Sequence, residues 1–310
     1  MKIMFMGTPD IAAVTLEKLV ADGHSVTSCI TGEDKPRGRG NVMTPTPVKR
    51  VAEAHSIPVY TPKTLKDEAF SELLNELSPE IIVVVAYGKI LPKSVIDFPK
   101  FGCVNMHVSL LPKYRGAAPM QRAIIDGERE TGVSVMYMDE GLDTGDIIDT
   151  VAFPIEKCDD FEAVHDRSAE LGSELLSKTL IKIENGTAKR RPQDSSLATY
   201  AKKIEKEDAK IDFTKDAKTL DCLVRGVTPI PGAYAYLGGK LLKITRQEPV
   251  CGKGKPGEVI ATDAKGEGSF TVACGDGAML VRSVVFEGKG RMSAGDFVRG
   301  RKIALGDILE

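Results

Sequence analysis

"KIMFMGTPDIAAVTLEKLVADGHSVTSCIT", residues 2–31, decides the fold. Two short apolar runs, KIMFMG (2–7) and SVTSCIT (25–31), flank a helix-like segment, DIAAVTLEKLVADG. Short apolar runs bounded by turn residues suit the buried strands of a parallel sheet. The rhythm then repeats. IIVVVAYG (81–88) is a third such strand, with PVKRVAEAHS and LKDEAFSELLNELS as the helices before it. Pro47 sits where a first-turn proline is tolerated. CVNMHVS (103–109) reads as a fourth strand, with AAPMQRAIIDG as the helix after it. GVSVMYM and GDIIDTVAFPI follow too closely for further crossovers, so the sheet is expected to finish with antiparallel strands, and residues 160–185 return to helix. The expected class is α/β, a Rossmann-like, doubly wound and mostly parallel sheet over residues 1–186.

The texture changes at GTAKRRPQDSSLATYAKKIEKEDAKID, which is polar, charged and without apolar periodicity. Residues 187–206 are predicted to be a linker. Beyond them, after the helix AKTLDCLVRGV, five strand-like pieces separated by glycines run from GAYAYLGG to AMLVRSVVFEG. Short strands with frequent glycine turns predict a small β-barrel over 207–310, of the oligonucleotide-binding (OB-like) kind.

Two domains suit a chain of 310 residues. No run of about 18 apolar residues occurs, so no membrane partner is expected. The start meets Gly, Thr, Pro and Asp too early for a signal peptide. The six cysteines are scattered, with no C-x-x-C pair, so neither a zinc site nor a disulfide frame is suggested. A cytoplasmic, metal-free monomer is the expectation. Net charge is −2, which does not advertise a nucleic-acid binder. Residues 206–310 carry 17 Lys and Arg against 14 Asp and Glu, a mild +3, and the rest of the chain carries −5.

Three segments are candidates for chemistry. GEDKPRGRGNVMTPTP (32–47) places Lys35, Arg37 and Arg39 among glycines and prolines; it reads either as solvated loop or as a basic finger for phosphates. Asn105 and His107 lie two apart on a strand and so face one side, near the carboxyl end where open α/β sheets place ligands. An amide and an imidazole side by side suit a developing oxyanion and a proton transfer. An isolated pair reads first as a buried, satisfied histidine, but the loop SLLPKYRGAAP, fixed by proline and glycine over the strand end, shifts the reading toward a site. DEGLDTGDI (139–147) adds three acids. Asp139 and Asp146 suit ordinary turn chemistry, whereas Asp143 is the candidate to charge and orient His107. The turn MGTPD has one glycine where the dinucleotide fingerprint needs three, which argues against a nicotinamide enzyme. Neither G-x-S-x-G nor H-E-x-x-H occurs, so the expected chemistry is direct transfer between two bound substrates.

These residues carry a resemblance. NMHVSLLPKYRGAAPMQRAIIDGERETGVSVMYMDEGLDTGDI (105–147) resembles the folate-dependent formyltransferases, whose signature is Asn-x-His-x-Ser-Leu-Leu-Pro followed by the Asp of an Asp-Thr-Gly loop. GTPD at the end of the first strand, VVAYGKILP, and farther on PIPGAY and AKIDF match the branch that formylates methionine on initiator tRNA. Ile230 stands where that branch often has Trp, and this chain has no Trp. The resemblance implies 10-formyltetrahydrofolate as donor and initiator methionyl-tRNA as acceptor. It implies Asn105, His107 and Asp143 as the catalytic trio, and Ser109, Leu110, Leu111 and Pro112 as the folate-contacting segment. Arg39, with Arg37 and Lys35, falls in the loop that reaches the tRNA acceptor stem, and the C-terminal domain implies a second tRNA contact. Formylation of glycinamide ribonucleotide or a nucleotide sugar would use the same trio, but a small acceptor needs neither the basic loop nor a second domain. A non-catalytic RNA-binding module would have no use for an intact trio.

Overall fold

Alternate residues of the first strand serve two separate cores. The computed structural model describes residues 1–37 and 40–310. Its first elements are β1 (Ile3–Gly7), α1 (Asp10–Ala21), β2 (Val26–Ile30), β3 (Lys35–Arg37), β4 (Val42–Thr44), α2 (Pro47–Ala54), β5 (Val59–Tyr60), α3 (Glu68–Leu77), β6 (Ile81–Val85), α4 (Lys93–Ile96) and β7 (Cys103–His107). Ile3 and Phe5 pack with Leu16 and Leu19 of α1 and Val48 of α2, whereas Met4 and Met6 pack with Phe70 and Leu74 of α3. A strand buried on both faces has no polar face to alternate, which is why its sequence is a continuous apolar run.

Parallel pairing links β1 to β2, β2 to β5, β1 to β6 and β6 to β7. The chain thus winds outward on one side of β1 and then returns to wind outward on the other. The parallel part ends at β7, which pairs antiparallel with β9 (Glu130–Tyr137) after the two-residue strand β8 (Arg115–Gly116) and α5 (Pro119–Ile125). The seven-stranded order is β10-β9-β7-β6-β1-β2-β5, with β10 being Ile147–Pro154. Both the mostly parallel sheet and its antiparallel finish agree with the sequence reading. The turn after β1 is tight: a Cβ on Gly7 would lie 2.6 Å from that of Ala12 and 2.8 Å from the Val85 carbonyl. Residues 32–47 contain a short hairpin, β3 paired antiparallel with β4. Arg39 lies outside the described residues.

The chain forms two compact units that are discontinuous in sequence. The first comprises Met1–Gly116, Glu130–Phe153 and His165–Ala201, and includes most of α6 (Phe161–Glu184). The second comprises Ala117–Arg129, Pro154–Val164 and Lys202–Glu310. This differs from the contiguous division at 186 and 206. Residues 187–201, expected to be linker, pack within the first unit through polar contacts, including β11 (Tyr200–Ala201), which pairs with β8. Helix α5 belongs to the second unit because it packs closely on α7 (Ala217–Val227); a Cβ on Gly226 would lie 2.6 Å from Ile125 Cγ1.

The second unit holds a six-stranded antiparallel sheet of β12 (Tyr234–Leu237), β13 (Lys240–Val250), β14 (Val259–Asp263), β15 (Ser269–Ala273), β16 (Ala278–Phe286) and β17 (Arg291–Ser293), followed by α8 (Ala294–Arg299). The order β12-β13-β16-β15-β14 leaves β12 and β14 at the two edges. Residues 306–310 bridge them, with Leu309 opposite Leu237 and Ile308 opposite Glu258.

The thiols give a simple check on burial. Cys29, Cys103 and Cys274 are buried, and desolvation pushes Cys29 and Cys103 up to about 12 and Cys274 to about 11. Cys158 and Cys251 are exposed. A chromogenic thiol reagent at neutral pH should therefore titrate these two promptly and those three only on unfolding, because the thiolate is the reactive form. Prompt modification of Cys29 or Cys103 in the native protein would contradict this packing.

Candidate active site

Strand parity puts Asn105 and His107 where the sequence predicts, at the carboxyl end of β7, opposite Met136 and Ser134 of β9. Asp143 reaches both from the loop between β9 and β10. Its Oδ1 lies 3.5 Å from Asn105 Nδ2, and its Oδ2 lies 3.6 Å from His107 Nδ1. Oδ2 also accepts a 2.8 Å hydrogen bond from the Gly116 backbone N–H. The three predicted residues therefore form one cluster. His107 is 6% exposed, and its other nitrogen, Nε2, lies 2.9 Å from the Tyr114 carbonyl oxygen. A carbonyl only accepts, so Nε2 carries a fixed proton and donates it. Nδ1, facing Asp143, is left as the nitrogen that can exchange a proton. The Asn105 amide has two N–H donors, and the long contact to Asp143 engages one of them weakly.

Local backbone sets these positions. Asp143 has φ +54°, a left-handed conformation that Asp and Asn tolerate better than other side chains. Gly116 has φ +120°, and a Cβ there would lie 2.8 Å from the Ala201 carbonyl oxygen, so the residue that donates to Asp143 must be glycine. The other two acids have different partners. Asp139 closes its own turn by accepting from Gly141 N–H and the Thr144 hydroxyl, and Asp146 pairs with Arg190 at 3.3 Å. Among the described residues no group of three or more His, Cys, Asp or Glu is placed to hold a metal.

The segment 109–112 is partly committed to holding its own loop. Ser109 is fully buried, and its hydroxyl donates to the Lys113 carbonyl at 2.7 Å. The Ser134 hydroxyl ties the loop to β9 by donating to the Ser109 carbonyl and accepting from Leu111 N–H. Leu111 is buried with Met136 and Ile147. Leu110 and Pro112 are half-buried. Lys35 is exposed on β3, and Arg37 ends the same strand.

Several residues in this neighbourhood were not singled out in the sequence. Tyr114 and Gly116 meet the trio through backbone atoms, which no side-chain pattern reveals. Gln193 lies in the stretch expected to be linker. Its Nε2 donates to the carbonyls of Asp143 and Gly145 at 2.9 and 2.7 Å, and its Oε1 accepts from Arg115 Nε and Nη2 at 3.1 and 2.8 Å. Arg115 is 2% exposed. Thr199 accepts from Tyr114 N–H through its hydroxyl and from Arg115 N–H through its carbonyl, both at 2.9 Å. A glutamine in a polar stretch carries no signal of its own.

With the geometry in place, similarity to known proteins becomes informative. Residues 1–180 match the formyl transferase family and residues 203–302 match the formyl transferase C-terminal domain. The methionyl-tRNA formyltransferase of Geotalea uraniireducens is 47% identical over 309 residues, covering 100% of this chain and 98% of its own. That of Citrifermentans bemidjiense is 46% identical over 309 residues, covering 100% and 96%. Among solved structures, an N-formyltransferase of Helicobacter canadensis in complex with folinic acid and dTDP-3-aminofucose superposes with a TM-score of 0.68 at 22% identity, covering 91% of this chain and 98% of its own. HypX of Aquifex aeolicus in complex with tetrahydrofolic acid gives 0.66 at 20% identity, covering 96% of this chain and 46% of its own. At such identities the structures speak for the fold alone, whereas the full-length relatives and both domain matches agree on lineage: the chain belongs to the methionyl-tRNA formyltransferase family.

Proposed function

We propose that the protein transfers the formyl group of 10-formyltetrahydrofolate to the amino group of methionine on initiator tRNA, yielding the formylated species that begins translation. The observation that carries this reading is the Asn105–His107–Asp143 cluster, placed on a strand end in a chain of this family. Attack of the amine on the formyl carbon makes a tetrahedral oxyanion. Asn105 Nδ2 and a protonated His107 Nδ1 are the donors available to it. Asp143 holds that His107 proton and accepts, directly or through a water, the proton that the attacking nitrogen loses. The new C–N bond forms, the bond to the folate nitrogen breaks, and the proton held at Asp143 and His107 returns to that departing nitrogen.

Apolar side chains are available to pack against a ring face of the folate co-substrate. Half-buried Leu110 and Pro112 follow β7, and the 88% exposed Ile90 follows the adjacent parallel strand β6. These lie at the carboxyl ends of neighbouring strands, where such sheets bind ligands. Complexes of related folds with tetrahydrofolic and folinic acid support the same class of donor. For the acceptor, Lys35, Arg37 and Arg39 are assigned to the phosphates of the acceptor stem, and the second unit to a further tRNA contact.

The test mixes the protein with 10-formyltetrahydrofolate and charged initiator tRNA and measures formyl-methionine. Product is expected with the tRNA, and none with glycinamide ribonucleotide or an amino-sugar nucleotide. Affinity for the tRNA should also fall with salt. About four phosphate contacts would weaken it roughly 10²-fold between about 50 and 200 mM, because each contact releases counterions. Turnover of a small amine with no response to salt would move the protein to another branch of the family.

A further inference from the structure

The stretch 193–201 was expected to be linker, yet it holds both partners of His107. The Tyr114 carbonyl accepts the fixed Nε2 proton, and the N–H of that same Tyr114 is held by the Thr199 hydroxyl at 2.9 Å. The next N–H, from Arg115, goes to the Thr199 carbonyl. Gly116, which donates to Asp143, is paired through β8 with Ala201. On the other side, Gln193 binds the carbonyls of Asp143 and Gly145, which pins the left-handed turn that aims the Asp143 carboxylate. Its oxygen takes two N–H groups of the buried Arg115. An amide alone among side chains of this size offers a double donor for two carbonyls and an acceptor for a guanidinium. Glutamate in its place would keep Arg115 but set a negative oxygen against two carbonyl oxygens.

We propose that Gln193 and Thr199 are positioning residues for formyl transfer. Gln193 acts through Asp143, and Thr199 acts through Tyr114 on His107. Neither hydrogen-bonds to the side chain of a trio member: within the trio Gln193 bonds only the backbone carbonyl of Asp143, Thr199 bonds the backbone of Tyr114 and Arg115, and each fixes the backbone from which a partner of His107 projects. This inference rests on the proposed formyl-transfer reading. A shift of about 1 Å in a reacting group can cost about 10²-fold in rate, and that is the scale expected here.

The experiment compares wild type with Gln193→Met, Gln193→Glu, Thr199→Val and Thr199→Ser in the formylation assay, alongside melting temperature and the pH profile of kcat/KM. Gln193→Met and Gln193→Glu should lower kcat by about 10–100-fold with KM for both substrates within about twofold. Both should also displace the limb of the pH profile that reports the His107–Asp143 pair. Thr199→Val should lose kcat in the same way, and Thr199→Ser, which keeps the accepting hydroxyl, should restore it. Normal kcat in Gln193→Met, with wild type active and His107→Ala inactive, would overturn the inference and leave the reading intact. So would equal losses in Thr199→Ser and Thr199→Val, or kcat losses that simply track a falling melting temperature. Absence of any formylation by wild type would remove the reading and the inference together.

Discussion

Asp143→Asn should lower kcat by about 10³–10⁴, the scale seen when the carboxylate of an Asp-His pair is neutralised elsewhere, and should retain the fold. Asparagine has the same shape and tolerates the left-handed backbone at φ +54°, so the loop has no steric reason to move. What changes is the hydrogen-bond inventory. Asp143 now accepts at both oxygens, from Gly116 N–H and Asn105 Nδ2 at 2.8 and 3.5 Å, and faces His107 Nδ1. An amide nitrogen in either place sets donor against donor or leaves Nδ1 without a charge partner. On the proposed mechanism, the variant lacks the group that takes the amine's proton and holds the His107 proton. His107→Ala should fall as far, because it removes the proton carrier. Asn105→Ala should lose about 10²–10³, the typical cost of one oxyanion donor. Residues acting as one unit are not additive, so His107→Ala combined with Asp143→Asn should fall only a few-fold below either single variant. Tight binding of charged tRNA should survive throughout. Multiplying losses in the double variant, or near-normal turnover in Asp143→Asn, would dissolve the trio.

The parts of this molecule that were legible in its sequence are those whose physics leaves a periodic mark. Ile3, Phe5, Met4 and Met6 read as a strand because both faces are buried. Asn105 and His107 read as a pair because strand parity is strict, and Asp143 stood out as an acid in a turn whose neighbours Asp139 and Asp146 had ordinary explanations. Gln193 left no mark, since a side chain that hydrogen-bonds to loop carbonyls imposes no apolar spacing on its neighbours. The allegiance of α5 was hidden for another reason. Sequence adjacency to β7 suggested one domain, but Ile125 packs against α7, more than ninety positions away. Ser109 was legible as part of a signature, yet its hydroxyl is used within its own loop, which only coordinates reveal. Residues 306–310 are likewise too short and too polar to read as a strand.

Those last residues carry the second large effect. Deleting 306–310 should unfasten the second unit, because they are what joins its two edge strands. Tyr236 exchanges hydrogen bonds with Glu310 at 2.7 and 2.9 Å, Val259 donates to Asp307 and accepts from Gly306, and Leu309 donates to the Gly257 carbonyl. The approach at Gly257 is so close that a Cβ there would lie 2.3 Å from the Leu309 carbonyl oxygen. Leu309 itself is 2% exposed, in a core with Phe213 and Val259. Five backbone bonds at about 0.5–1.5 kcal/mol each, with a buried leucine at about 2–3 kcal/mol, make a loss of several kcal/mol. A native domain has only about 5–15 kcal/mol in all. Leu309→Ala alone should cost about 2–5 kcal/mol. Native-state hydrogen exchange separates this from a general loss of stability. Amides of Tyr236 and Val259 should lose protection by orders of magnitude in the deletion, whereas those of β1 in the first unit should be unchanged. The freed edges of β12 and β14 are also unpaired templates, so the deleted protein should associate at concentrations where the full chain does not. Full protection at Tyr236 and Val259 after the deletion would show that the sheet holds without its closing strand.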